Sequence, residues 1–233
     1  MKIKRWLFAL FILFALFISF GISSYALETG FSYTEITQEK QETFIQNIKL
    51  QKITEEPEKK PIKCFSVNKE GTVAIGYSDF FRRKTVCLYS SFGEFLYGYS
   101  FECDGDFGVE LTDDSLNIYF VRSSLLVAIE VDETIDVVEI ENTIDNNSYR
   151  NHTIWASKIE YGTQKYELGN KGITSLLPLS YSFLTVTNNA GEERIIYNAS
   201  DLNFLHSLVV IVSFVGISII TIVGVAKIFK KKY

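Results

Sequence analysis

The sequence predicts a mainly β, antiparallel domain held between two flanking hydrophobic helices. Three observations predict it. Residues 6–27 and 207–226 carry no charge, and each run is about the length that crosses a bilayer core of roughly 30 Å as a helix. From Ile62 onward apolar residues alternate with period two, and Gly, Asn and Asp turns separate the alternating runs, as antiparallel strands require. The alternation then recurs at intervals of about 40 to 45 residues, the length of a four-stranded unit.

Charge sets the orientation of the two apolar runs. Lys2, Lys4 and Arg5 precede the first, and Lys227, Lys230, Lys231 and Lys232 follow the second, with no acidic residue among them. All 28 acidic residues lie between Glu28 and Asp201 against 16 basic ones, so the middle carries −12 within an overall −5. Lys and Arg flank the cytoplasmic ends of membrane spans. The chain therefore reads as a plasma-membrane protein whose bulk is extracytoplasmic. Residues 1–27 have two readings. They form a signal peptide cut after Ala26, with Ser24-Tyr25-Ala26 as the small-residue site, or an uncleaved N-terminal transmembrane helix. Residues 205–227 read as a transmembrane helix and 228–233 as a basic cytoplasmic tail.

Residues 28–61 read as a charged linker or stalk. Phe44, Ile45, Ile48 and Leu50 are its main apolar points, a spacing that suits a short amphipathic helix or a first strand near 47–53, and Glu55 to Pro61 reads as a turn. Residues 62–204 form the extracytoplasmic β domain. Strands are expected at 72–77, 85–89 and 95–101, the last placing Phe95, Tyr97, Tyr99 and Phe101 on one face. No segment here shows a convincing helical period.

The repeat is specific to named residues. Val73, Ile75 and Tyr77 match Leu116, Ile118 and Phe120, and Val86 and Leu88 match Val127 and Ile129, then Leu184 and Val186. The turns Ser90-Ser91-Phe92-Gly93-Glu94, Val131-Asp132-Glu133 and Asn188-Asn189-Ala190-Gly191-Glu192 follow in register. By these residues the chain resembles WD-repeat-like β-propeller blades, and the run Cys64 to Val109 is similar to a blade of exported and membrane proteins of Gram-positive-type bacteria. It departs from WD repeats in lacking the Trp-Asp and Gly-His dipeptides. The resemblance implies a partial β-propeller-like domain of two to three four-stranded blades. Closed propellers need about four to eight blades, so an open sheet is expected to present strand edges to a partner.

Catalytic machinery is sparse. The chain holds two histidines, with no nucleophile elbow, phosphate loop or zinc-binding helix motif, so no enzyme and no cofactor are expected. Asp104 and Asp106, near Glu102 and Glu110, are the weak candidates for calcium, whose sites need six to eight oxygens. Cys64, Cys87 and Cys103 are expected as buried thiols rather than a disulfide. Asn146, Asn151 and Asn198 begin glycosylation sequons. An acidic domain does not suit nucleic acid. The expected role is a membrane-anchored protein-interaction or structural module that binds another protein or itself, with Phe92, Phe95, Tyr97, Tyr99 and Phe101 as the binding candidates. The alternative is a ligand-binding sensor or receptor ectodomain that signals through a membrane partner.

Overall fold

The computed structural model describes residues 27–80, 82–170 and 180–201, together with residues 204, 208, 209, 212 and 213. Both uncharged runs fall almost wholly outside these residues. No helix among the described residues is long and apolar enough to cross a membrane.

The chain begins with strand β1 (Tyr33–Glu35), helix α1 (Gln38–Ile48) and strand β2 (Gln51–Ile53). Three antiparallel meanders follow. The first is β3 (Ile62–Val67), β4 (Val73–Phe80), β5 (Arg83–Tyr89) and β6 (Phe95–Glu102). The second is β7 (Phe107–Leu111), β8 (Ser115–Phe120), β9 (Leu125–Glu130) and β10 (Ile135–Ile140). Helix α2 (Ile144–Tyr149) and a π-helix (Arg150–Ile154) then lead to β11 (Lys158–Tyr161), β12 (Gln164–Gly169), β13 (Phe183–Thr187) and β14 (Glu193–Asn198). None of the three sheets closes on itself.

The matched residues occupy equivalent strands. Val73-Ile75-Tyr77 and Leu116-Ile118-Phe120 lie on the second strands of their units, and Val86, Val127 and Leu184 on the third. The turns that follow share one hydrogen-bond pattern. Ser90 N donates to Glu94 O and Gly93 N returns to Ser90 O; Glu130 with Thr134 and Glu133, and Asn188 with Glu192 and Gly191, repeat it. In each, the fourth residue is left-handed, at φ 87° for Gly93, 70° for Glu133 and 80° for Gly191. A three-residue loop closing on a left-handed residue matches the twist of its flanking strands.

Residues 28–61, expected as a linker, are woven into the sheets. β2 pairs with β6 and β1 with β10, so each of the first two meanders gains a fifth strand. Both secondary-structure readings of this stretch apply, to successive residues. Thr37 caps α1 by accepting from Lys40 N, which satisfies an orphan donor of the first turn. Phe44, Ile45 and Ile48 of the helix pack against the core between the first two sheets, with Phe44 edge-on to Phe120 at 5.1 Å. The helical period missing from the β domain also proves incomplete as a rule, because α2 and the π-helix interrupt it.

The sheets stack face to face. Cys64, Ala74, Val86, Leu88 and Phe101 of the first sheet meet Phe107, Ile118, Val127 and Ile129 of the second. On its other face, the first sheet packs Phe65, Ile75, Tyr77 and Tyr89 against Tyr166, Leu184, Val186 and Tyr197 of the third. The outer face of the second sheet is covered by Phe31, Ile154, Tyr149 and Trp155. The third unit in sequence therefore packs on the first. Consecutive units around a ring would instead be neighbours, and here the helical segment holds the place where the third would sit.

Candidate functional site

β3, β7 and β11, the opening strand of each unit, converge on a cleft of about 390 Å³ lined by Ser66, Lys69, Glu110, Asp113, His152 and Lys158 among others. Leu111 N donates to Ser66 Oγ at 2.9 Å and ties β7 to β3 across it. Its volume suits a small ligand, but most of its charges are already engaged. Lys69 Nζ lies 2.7 Å from Asp113 Oδ2, joining the β3–β4 and β7–β8 turns. Lys158 pairs with Glu160. Glu110 accepts from Thr29 Oγ1 at 2.6 Å, Gly30 N at 3.0 Å, Asn117 Nδ2 at 3.0 Å and the Tyr149 hydroxyl. Asn117 is itself fully buried, donates to Glu28 O at 2.8 Å and accepts from Ser115 Oγ at 2.9 Å. This network fastens residues 28–30 and α2 to the second sheet. His152 lies exposed at the rim, on the π-helix rather than in a loop.

The five aromatic candidates separate. Phe92 stands at the tip of the β5–β6 turn with 73% of its surface exposed. Tyr97, Tyr99 and Phe101 pack into the core between the first and second sheets. Phe95 does not share their face. Tyr89 opposes Phe95 while Leu88 opposes Tyr97, so Leu96 is a bulge residue, and one extra residue turns the preceding side chain to the opposite face. Phe95 accordingly packs with Tyr89 in the core toward the third sheet, 5.9 Å between ring centroids.

The calcium candidates do not converge. Asp104 Oδ1 lies 2.7 Å from Arg82 Nε, with Arg122 at 3.9 Å from its other oxygen. Glu102 is taken by Lys49 at 2.9 Å, which holds its carboxyl below the usual range. Among the described residues no group of three or more His, Cys, Asp or Glu is placed to hold a metal. All three cysteines are free thiols, Cys64 and Cys87 buried. Cys103 differs from expectation because it sits half-exposed in the β6–β7 loop. Of the sequons, Asn146 is buried, with Nδ2 donating to Ser32 O and Glu141 O, while Asn151 and Asn198 are exposed.

Two residues of β14 were not singled out by the sequence. Arg194 places its guanidinium over the Phe92 ring at 5.1 Å and donates to Ser91 O at 2.5 Å. Ile195, next on β14, is 45% exposed and stands on the opposite face from Arg194, in register with Thr185 and Glu167. β14 ends the third sheet, so its outer edge has no strand neighbour among the described residues. By contrast the outer face of the third sheet is a ladder of opposite charges, with Lys158, Glu160, Lys165 and Glu167 in register and ion-paired. No family model matches the chain, and neither a curated protein nor a solved structure matches it.

Proposed function

We propose that this protein is a membrane-anchored, extracytoplasmic interaction module that receives a protein partner at the β14 edge, beside Phe92 and Ile195. The observation that carries the reading is the six-residue edge of β14 with an exposed aromatic and an exposed aliphatic side chain next to it. Unpaired edges template pairing with another chain unless charge, brevity or cover blocks them. β1 and β2 are three residues each, too short to add much. The cation that would guard β14, Arg194, is folded back onto Phe92. Anchoring is supported by Phe204, Leu208, Val209 and Val212, helical residues that leave large apolar surfaces uncovered just after β14, as a helix entering lipid does.

The test uses the full chain in its own membranes, carrying a photocrosslinking residue at Phe92, at Ile195 or at Lys165, which lies on β12, two strands in from the edge. Positions 92 and 195 are expected to capture one discrete partner, or a second copy of the chain, and position 165 none. Absence of a discrete adduct from both 92 and 195 removes the reading.

A further inference from the structure

Arg150 opens the π-helix, and such turns recur at functional sites. Its guanidinium stacks over Trp155 at 5.6 Å, donates through Nη2 to Asn147 Oδ1 at 2.6 Å and reaches Tyr119 Oη through Nη1 at 3.5 Å. All three partners are neutral. Its Nε is buried out of reach of solvent with no acceptor among the described residues, and an unmet buried donor forfeits a hydrogen bond it would have had in water.

Arg150 forms one wall of a cavity of about 310 Å³. Ser124, Asn142, Asn147 and Phe31 also line it. Among the described residues Arg150 is the only cation in the lining and Glu141 the only anion. The volume stands at the small end of ligand sites. We propose that this cavity binds a small zwitterion, an α-amino acid with a short side chain, its carboxylate on Arg150 and its ammonium toward Glu141. A guanidinium fork matches the planar carboxylate and supplies charge-assisted bonds. A phosphate dianion fits worse, because one guanidinium would face two added negative charges beside Glu141. The site lies on the outer side of the second sheet and is independent of the β14 edge, so its test neither supports nor weakens the partner reading.

Titration calorimetry of the full chain in detergent micelles decides the matter, with glycine, alanine, acetate, methylammonium and inorganic phosphate as probes. Glycine and alanine are expected to bind, and acetate, methylammonium and phosphate to bind at least about tenfold more weakly. Arg150→Gln should weaken alanine at least about tenfold, and Glu141→Gln should reduce alanine to the level of acetate. Arg150→Gln also loses the Trp155 stack, so Glu141→Gln, whose side chain is exposed, serves alone if the first variant fails to fold. No heat from glycine or alanine overturns the proposal, as does alanine affinity unchanged in Glu141→Gln. Equal binding of acetate, phosphate and alanine also overturns it, since that describes a generic anion site.

Discussion

The Tyr149 hydroxyl donates to Glu110 Oε1 across 39 residues of chain, joining the end of α2 to the edge strand β7. The same carboxylate receives Thr29, Gly30 and Asn117, so one side chain fastens the start of the domain, a helix and a buried amide. Burial and the adjoining Glu110 charge both raise the Tyr149 phenol above its ordinary range, so it stays a donor at physiological pH. Glu110→Ala strands several donors at once and should cost about 3 kcal/mol. Tyr149→Phe removes one bond and should cost about 1 kcal/mol. Urea unfolding of the full chain in micelles measures both, and amide exchange should quicken in residues 28–32 before elsewhere. Equal exchange in both variants and the parent would show that the carboxylate does not hold this segment.

The strand repeat was legible because core faces demand it: Val73, Ile75 and Tyr77 are buried, and so are Leu116, Ile118 and Phe120. The turn series was legible for the same reason, since left-handed residues favour Gly at 93 and 191. The Glu110 network was not legible, because its donors lie up to 81 residues away and no local pattern marks them. β1 was hidden by its three-residue length, while the helix and β2 were legible only as alternatives for one stretch, because the helix buries Ile48 alone. Phe95 misled because Phe95, Tyr97, Tyr99 and Phe101 alternate perfectly in sequence, and a bulge leaves no mark on that alternation.

Removal of Leu96 should regularise β6. It is the unpaired residue between the Tyr89–Phe95 and Leu88–Tyr97 pairs, and it is largely on the surface. Its deletion leaves Phe95 and Tyr97 on the faces they already occupy, and should cost about 1 kcal/mol. Deleting Gly98, two residues on, shifts the strand so that side chains swap faces, and the chain should fail to fold. Thermal unfolding of the two deletions side by side reads the difference. Equal damage from both would mean the bulge is not where the pairing places it.

Glu133 holds the left-handed position that Gly93 and Gly191 hold in the sister turns. A left-handed conformation costs a non-glycine residue roughly 1–2 kcal/mol, and an exposed, solvent-screened ion pair such as Lys52–Glu133 returns less than that. Glu133→Gly is therefore expected to stabilise by about 0.5 kcal/mol, with Glu133→Ala giving no gain. A lower melting temperature for the glycine variant would contradict the equivalence of the three turns.

Alkali should weaken the fold early. Burial pushes the Cys64 thiol up to about 12 and the Cys87 thiol up to about 11, and it raises Tyr77, Tyr89 and Tyr197 as well. In the unfolded chain these thiols ionise near ~8.5. Below that value both states keep the proton and stability does not change. Above it the unfolded chain sheds protons that the folded chain retains, so stability falls as pH rises toward the folded values, by about 2 kcal/mol per thiol near pH ~10. Urea midpoints measured from neutral to alkaline pH should show the decline, and Cys64→Ala with Cys87→Ala should flatten part of it. In the native state only Cys103 should react with a maleimide, since it alone is partly exposed.

Topology follows from where charge is placed. Orientation is set by the excess of Lys and Arg near the ends of a span, with Asp and Glu counting for little, so Lys230, Lys231 and Lys232 are expected to stay on the cytoplasmic side. In a Cys103→Ser background, a cysteine introduced at Ser90 should be labelled by a membrane-impermeant maleimide on intact cells. One at Lys231 should be labelled only after the cells are opened. Protease added outside should digest residues 28–204 once the domain is unfolded, and should spare a small fragment that contains residues 207–226 and the basic tail. Labelling of position 231 on intact cells, or equal labelling at both positions, would place the tail outside and remove the charge asymmetry as the determinant of orientation.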